Sequence, residues 1–153
     1  MPLIDTDRRT VVAAGALVAG ALLATAGRSA HAQAALPPKL STHALDTYSG
    51  KQAAGIRIDL YQIDGEQRKL LKSVRANEEG RVTENLLEGP TLKVARYELV
   101  FYVAEYYKRM GVPQSNPEFL DVVPLRIAIW DDKQRYHVPL YFSPWGYMTY
   151  RGS

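Results

Sequence analysis

The fold class follows from residues 55–65, which read GIRIDLYQIDG. In this stretch Ile56, Ile58 and Leu60 alternate with polar and aromatic residues. That period of two is typical of a β-strand with one apolar face, so a strand is predicted over 55–64. Asp64-Gly65 is a dipeptide that β-hairpins use for their turns. The stretch therefore predicts a strand that leads into a hairpin.

The same period of two recurs on both sides of this stretch, in short segments separated by turn residues. Strands are predicted over 39–46, 70–76, 95–103, 122–130, 135–142 and 147–150, with a weak one near 82–87. One short helix is predicted over 104–110, closed by Gly111 and Pro113. Seven to eight short strands with one short helix predict an all-β protein built as an antiparallel β-sandwich.

Residues 1–32 have the features of an export signal. The pair Arg8-Arg9 precedes an apolar stretch over 11–26, and Ala30-His31-Ala32 is typical of a signal-peptidase site. Paired arginines favour the twin-arginine route, and the apolar stretch is shorter than the roughly 20 residues that a spanning helix needs. We expect cleavage before residue 33 and a periplasmic protein; a retained membrane anchor is the alternative. Residues 33–38 are predicted to be a linker and 39–153 one domain.

Composition excludes several classes of function. The chain has 19 basic and 16 acidic residues; without Arg8, Arg9, Arg28, Asp5 and Asp7 of the signal, 16 and 14 remain, a net charge of +2. This balance favours neither a nucleic acid nor a membrane surface as the partner of the exported protein. The absence of cysteine excludes disulfides, thiolate catalysis and cysteine-based metal sites.

Two histidines, His43 and His137, follow the predicted signal. Alternation places His43 on the face of its strand that Ser41 shares, and His137 opposite Tyr136. If the Tyr136 face packs into the sandwich, His137 points outward, and the two imidazoles could act as base and acid near neutral pH. Two ordinary surface histidines are the alternative. Without thiolates or a closely spaced carboxylate they fall short of a zinc site.

Two further sets of polar residues could bind a small hydrogen-bonding molecule. Arg81 follows the turn Glu79-Gly80 and offers a planar fork of donors for carbonyl groups or anions. The final residues Tyr150-Arg151-Gly152-Ser153 combine a phenol, a guanidinium and a hydroxyl. Nothing marks Ser153 as an activated nucleophile, so a donor or orienting role is predicted for it. A solvated loop arginine and a polar tail are the alternatives.

Six motifs, in this order, resemble those of the transthyretin-like 5-hydroxyisourate hydrolases. They are LSTHALDT at 40–47, EGR at 79–81, FLDVVP at 119–124, YHVPL at 136–140, SPW at 143–145 and YRGS at 150–153. Each motif is short, but the ordered set is specific and extends over residues 40–153. Gly146 and Met148 depart from the small hydroxyl residues of many family members, and the export signal departs from cytosolic or peroxisomal members.

The resemblance implies a transthyretin-like sandwich that forms a homotetramer, a dimer of dimers, with active sites at the dimer–dimer interface. It implies hydrolysis of 5-hydroxyisourate to 2-oxo-4-hydroxy-4-carboxy-5-ureidoimidazoline in urate degradation, without a metal or an organic cofactor. The site it implies has the catalytic residues His43, Arg81, His137 and Ser153 and the substrate-binding residues His43, Arg81, His137, Tyr150, Arg151 and Gly152.

The alternative is a transthyretin-type carrier that binds a small ligand without chemistry. A carrier would need neither the two histidines nor the final tetrapeptide. The sequence leaves open which histidine is the base, and whether a related cyclic ureide is the physiological substrate.

Overall fold

The structure is a computed structural model that describes residues 36–153. The predicted export signal at 1–32 and the first residues of the predicted linker lie outside the described residues. Residues 36–38, the described part of that linker, form neither helix nor strand. Across 36–153, every helix is too short or too polar to cross a membrane.

The described residues form eleven β-strands, one turn of 3₁₀-helix and one α-helix. The strands are β1 (Lys39–Ser41), β2 (Ala44–Asp46), β3 (Lys51–Gln52), β4 (Arg57–Asp64), β5 (Gln67–Arg75), β6 (Leu87–Glu88), β7 (Ala95–Phe101), β8 (Val123–Ile129), β9 (Arg135–His137), β10 (Leu140–Ser143) and β11 (Gly146–Thr149). The 3₁₀ turn is Gly89–Thr91. The helix α1, Val103–Arg109, starts one residue before its predicted position and is followed by Gly111 at a φ of 68°.

The strands form three sheets, with the orders β6-β1-β9, β11-β10-β2-β3 and β5-β4-β7-β8. The predicted hairpin is confirmed as β4 and β5, which pair antiparallel across Asp64 and Gly65. Ile56, Ile58 and Leu60 are fully buried, and they share one core with side chains from all three sheets. Antiparallel pairs predominate, but β1–β9 and β2–β10 run parallel.

Two predicted strands, 39–46 and 135–142, are each divided by a short break. The hydroxyl of Thr42 turns to donate a hydrogen bond to the carbonyl of Val138 (2.6 Å). Pro139 has no N–H to donate to a neighbouring strand, which explains the second break. Because these strands run side by side, the breaks adjoin, and each lies next to one of the two histidines.

Two other segments differ from the sequence-based expectation. Of the weak strand predicted near 82–87, only residue Leu87 is in a strand, the short β6 that pairs with β1. Conversely, Lys51 and Gln52, for which no strand was predicted, form β3 against β2. Both strands are two residues long, too short for a period of two to reveal.

A buried carboxylate fixes the end of β2. Asp46 accepts hydrogen bonds from the hydroxyl of Tyr107 (2.5 Å) and from the backbone N–H of Tyr48 (2.9 Å). These bonds join α1 and the loop after β2 to the strand. The end of β2, the strand that follows His43, is therefore held in place.

Candidate active site

The imidazoles of His43 and His137 meet beside the two strand breaks. Nδ1 of His43 lies 2.7 Å from Nε2 of His137. The ring centroids are 4.9 Å apart and the ring planes differ by 20°. Nearly coplanar rings that touch through their nitrogens have the geometry of an N–H···N hydrogen bond. The two histidines are thus one unit, although 94 positions separate them in the sequence.

Ser41 extends this unit to a chain of three side chains. Its Oγ lies 2.9 Å from Nδ1 of His137. Both ring nitrogens of His137 are therefore engaged, whereas Nε2 of His43 has no hydrogen-bond partner within residues 36–153. A neutral imidazole carries one N–H and one lone pair. Nε2 of His43 is consequently the ring nitrogen that can exchange a proton with a bound molecule.

Burial and nearby positive charge keep both rings neutral. Burial, with a contribution from the charge of Arg81, lowers the pKa of His43 below its ordinary value of 6.5. Burial, His43, Arg81 and Lys39, in that order of size, lower the pKa of His137 to about 4. At neutral pH the pair therefore offers a lone pair that can accept a proton.

A tight loop holds Arg81 beside His43. The side-chain oxygen of Asn77 accepts hydrogen bonds from the backbone N–H groups of Glu79 and Arg81, each at 3.0 Å. Arg81 then forms an isolated antiparallel bridge with His43. The loop thus places Arg81 at the histidine pair, and its side chain lines the same cleft.

Gly80 allows the close approach that this loop requires. Its φ is 67°, and a Cβ at this position would lie 2.3 Å from the carbonyl oxygen of Ala44. The amide of Ala44 in turn donates to the carbonyl of Gly80 (2.8 Å). Any side chain here would push the loop and Arg81 away from His43.

Replacing Gly80 by alanine is therefore expected to lower the free energy of unfolding by about 2 kcal/mol or more, through backbone strain plus the clash. Gly50→Ala is the matched control, because Gly50 has a φ of 70° but no atom near its missing Cβ. Gly50→Ala should therefore lose only the free energy of unfolding that backbone strain costs, about 1 kcal/mol. Urea denaturation of the two variants measures both effects. Equal losses would show that the contact with Ala44 is unimportant.

The final residues form a second wall of the site. Gly152 and His137 exchange two backbone hydrogen bonds, one of 2.7 Å from the Gly152 amide and one of 3.2 Å to its carbonyl. A Cβ on Gly152 would lie 3.2 Å from Cβ of His137, so glycine permits this approach. Tyr150 and Ser153, on either side, line the cleft in front of the histidines. The tail is thereby tied to the backbone of His137.

The guanidinium of Arg151 lies on the other side of the tail. It donates to the side-chain oxygen of Gln134 (3.0 Å) and to the carbonyl of Arg135 (3.2 Å). It also lies over the rings of Trp130 and Tyr136, at 5.3 and 5.2 Å from their centroids. Arg151 is thus not among the residues that line the cleft of this chain, and its predicted contact with substrate stays a prediction.

The resulting cleft has a volume of about 380 Å³. The residues that line it are Lys39, Ser41, His43, Arg81, Arg135, Tyr136, His137, Tyr150 and Ser153. Three of them have cationic side chains and none has an acidic side chain, so the side chains of the cleft favour electron-rich oxygens or an anion. Within the described residues no group of histidine, aspartate and glutamate side chains has the arrangement of a metal site.

Four lining residues were not predicted from the sequence: Lys39, Ser41, Arg135 and Tyr136. Ser41 and Lys39 precede His43 by two and four residues and share its strand face, a signal that alternation alone carries. Arg135 carried no comparable signal, because its place depends on the parallel register that sets β9 against β1. Sequence periodicity does not encode such a register.

A larger cavity of about 630 Å³ lies elsewhere, beside α1. It is lined by Arg109 and Tyr106 among other residues, and it contains neither histidine. The Arg109 guanidinium donates to the carbonyl of Ala54 (2.7 Å), which holds the end of the helix in place. A structural role accounts for this arginine, and the acid–base chemistry belongs to the smaller cleft.

The fold and the cleft define a small β-sandwich whose acid–base site is a pair of neutral imidazoles beside an arginine. The chain belongs to the HIUase/Transthyretin family, whose model matches residues 40–152. It is 48% identical to "5-hydroxyisourate hydrolase 2" of Rhizobium meliloti over 115 residues, which are 75% of this chain and 96% of that protein. These similarities confirm the predicted family.

Two solved structures have the same fold. The 5-hydroxyisourate hydrolase of Klebsiella pneumoniae has a TM-score of 0.64 and 28% identity, over 76% of this chain and 99% of that chain. An (S)-allantoin synthase has a TM-score of 0.73 and 38% identity. That alignment covers 76% of this chain but 44% of the synthase, so the chain spans less than half of that larger protein. The predicted transthyretin-like sandwich is confirmed.

Proposed function

We propose that this protein is an enzyme that hydrolyses 5-hydroxyisourate to 2-oxo-4-hydroxy-4-carboxy-5-ureidoimidazoline in urate degradation. The observation that carries the proposal is the 2.7 Å contact between His43 and His137 in a cleft that Arg81 also lines. The similarity to named 5-hydroxyisourate hydrolases along nearly their whole length supports the same substrate.

In the proposed reaction His43 is the general base. Its Nε2 accepts a proton from water while its Nδ1–H donates to Nε2 of His137. In this choice of tautomers the Nδ1–H of His137 donates to Ser41, and Nε2 of His43 keeps its lone pair. His137 thereby orients the base and stabilises the charge that His43 acquires. The base role that the sequence left open is assigned to His43 on this geometry.

The remaining steps use the cations and the tail. The oxygen of water attacks the lactam carbonyl, and Arg81 stabilises the oxyanion that forms. The C–N bond then breaks as the nitrogen receives a proton from His43, giving a carboxylic acid and an N–H group. Tyr150, Gly152 and Ser153 close the cleft, and Ser153 orients water or substrate. For Arg151, whose guanidinium contacts Gln134, an anchoring role in the tail is added to the proposal.

The test is to follow the ultraviolet absorbance of freshly generated 5-hydroxyisourate with and without the protein. A decay faster than the spontaneous rate, in proportion to protein concentration, is expected. Decay at the spontaneous rate would favour a transthyretin-type carrier instead. No feature of the cleft favours that carrier, because a ligand that undergoes no chemistry needs no hydrogen-bonded base.

The pH dependence should follow the lowered pKa values of the histidines. Since only the neutral pair can accept a proton, kcat/KM is expected to be level near pH 7 and to fall only below the ordinary histidine value of 6.5. Stability should change in the same direction. As the pH falls from 6.5 toward about 4, the histidines of the unfolded chain bind protons before those of the folded protein, so the free energy of unfolding decreases. A pH–rate profile that bends at or above 6.5 would contradict this.

We also propose a homotetramer, a dimer of dimers. Two observations support it: β8 and β11 are edge strands of their sheets, and β11 exposes apolar side chains, with Met148 61% and Tyr147 50% exposed. Edge strands with apolar residues are suited to pairing with a second copy. Sedimentation velocity should give four times the mass of the processed chain. A monomer at enzymatically active concentrations would refute this assembly.

The periplasm is the proposed location, supported by Arg8-Arg9 and the apolar stretch that follows. Residues 1–35 fused to a reporter enzyme should carry it into the periplasm of a bacterial host. Replacing Arg8 and Arg9 by lysine should retain the reporter in the cytoplasm, whereas replacing Arg28 by lysine should not. Cytoplasmic reporter with the unchanged signal would contradict export.

A further inference from the structure

Two cations face each other at the rim of the cleft. Lys39 on β1 and Arg135 on β9 are direct partners in the parallel register, and both line the cleft. Like charges at opposite positions of neighbouring strands repel each other and destabilise a sheet. Such a pair therefore requires a compensating negative charge or has a cost in stability.

Within residues 36–153 no side-chain carboxylate forms an ion pair with either cation. Ion pairs there neutralise Arg57, Arg68, Lys72, Arg75 and Arg126. Over the same residues no carboxylate comes within 4.0 Å of Lys39, Arg81 or Arg135.

The carboxylate nearest in register is engaged elsewhere. Glu88 is the partner of Lys39 on β6, the opposite side of β1 from Arg135. Its Oε2 accepts a hydrogen bond from the side-chain amide of Asn85 at 2.5 Å. Arg135 contacts only a carbonyl oxygen, that of Pro37, at 3.5 Å among the described residues. The donors of both cations thus remain available to a ligand.

We propose that Lys39 and Arg135 form a carboxylate-binding subsite at the rim of the cleft. The subsite lies beside the catalytic group, since Lys39 and Ser41 are neighbours on one face of β1. The proposal rests on the proposed function in one respect: the carboxylate it binds is the one that ring opening creates.

The proposed reaction creates the carboxylate that this subsite binds. Water adds OH to the carbonyl carbon and H to the nitrogen as the C–N bond breaks, and the new acid ionises near neutral pH. The product therefore carries a carboxylate that the intact lactam lacks. Arg135 offers a planar fork that can hold both carboxylate oxygens, and Lys39 offers a point charge.

The proximity of Lys39 to the histidines provides a spectroscopic readout. The charge of Lys39 contributes to the lowered pKa of His137. A carboxylate held by Lys39 would offset part of that charge and raise the pKa of His137. Ring resonances of the histidines should therefore respond to an anion at the rim even without turnover.

The first experiment uses sodium acetate as the probe, with sodium chloride at matched ionic strength as the reference. Acetate at pH 7, where it is ionised, is expected to shift the His137 ring resonances of the full protein. The variants Lys39→Gln and Arg135→Gln should each weaken this binding about tenfold, the loss of one charge-assisted hydrogen bond. Lys69→Gln, an equal charge change on β5, should bind acetate as the unmodified protein does. No acetate response, or an equal response in the variant lacking both rim cations, would overturn the subsite.

The second experiment identifies the source of the carboxylate. Progress curves of 5-hydroxyisourate decay should show inhibition by the accumulating product that Arg135→Gln relieves about tenfold and Lys69→Gln does not. Acetate binding without product inhibition would assign the subsite to another small carboxylate and refute its product role. Absence of turnover in the unmodified protein would refute the proposed function, while the acetate titration would still decide the subsite.

Discussion

His43→Ala is expected to lower kcat for 5-hydroxyisourate by about 10²- to 10⁴-fold, the usual contribution of a positioned general base. Nε2 of His43 is the free ring nitrogen of the hydrogen-bonded pair. Once this ring is removed, water in the cleft must lose its proton unaided. KM should change much less, because Arg81 and Tyr150 still line the cleft. Steady-state kinetics of the purified variant measure both parameters.

His137→Ala should have a similar effect for a different reason. It removes the acceptor for Nδ1–H of His43 and leaves that ring free to rotate or to change tautomer. Ser41→Ala should cost less, since it removes only the last hydrogen bond of the chain. This order of losses in kcat distinguishes a base that is oriented by its hydrogen bonds from two histidines that act independently.

The matched control is Gln62→Ala, which shortens a half-buried polar residue of β4, in another sheet. It should retain the activity of the unmodified protein. Circular dichroism and thermal unfolding should show native structure in all four variants, because the histidines are only partly buried. If His43→Ala and His137→Ala both retained full activity, the assignment of the site to this pair would be wrong.

Deleting residues 150–153 is expected to lower kcat/KM by about 10²-fold, the scale of loss when reacting groups are misplaced by an ångström. The deletion removes the two backbone hydrogen bonds that Gly152 forms with His137, and it removes Tyr150 and Ser153 from the cleft. Melting temperature should fall little, because the tail contributes no residue to the buried core. Kinetics and thermal unfolding together therefore separate a loss of site geometry from a loss of fold.

A peptide tag tests the role of the final residues without deleting them. A peptide fused after Ser153 should reduce activity more than the same peptide placed before residue 33, because Ser153 lines the cleft. Gly152→Val is the point variant to compare, since a branched side chain there would press on Cβ of His137. Equal activity of both tagged proteins would mean that the tail is not a wall of the site.

Much of the fold was accessible from local patterns. The alternation of Ile56, Ile58 and Leu60 marks β4 because these three side chains point to the same face and are fully buried. Gly111 marks the end of α1 because it takes a left-handed backbone conformation. The breaks next to His43 and His137 were not accessible. They depend on contacts between segments distant in sequence, such as that of Thr42 with Val138.

In the candidate site, too, local patterns identify some residues, whereas others depend on contacts between distant segments. His43, His137, Arg81 and the final tetrapeptide could be named from their residue types and from the resemblance of their motifs to a family. Arg135 could not, because its place in the cleft exists only once β1 lies parallel to β9. Residue type indicates what a side chain can do, whereas register determines which side chains it meets.

Because the two histidines are far apart in the sequence, enzymatic activity should appear only when folding is complete. His43 lies between β1 and β2 and His137 at the end of β9, and 94 positions separate them in the sequence. Contacts of this range form late, after the entropy of closing a large loop has been overcome. A nascent chain still attached to the ribosome before residue 137 is synthesised has no site at all. Recovery of turnover during refolding should therefore lag behind recovery of β-sheet signal, with the catalytic centre the last part of the protein to be assembled.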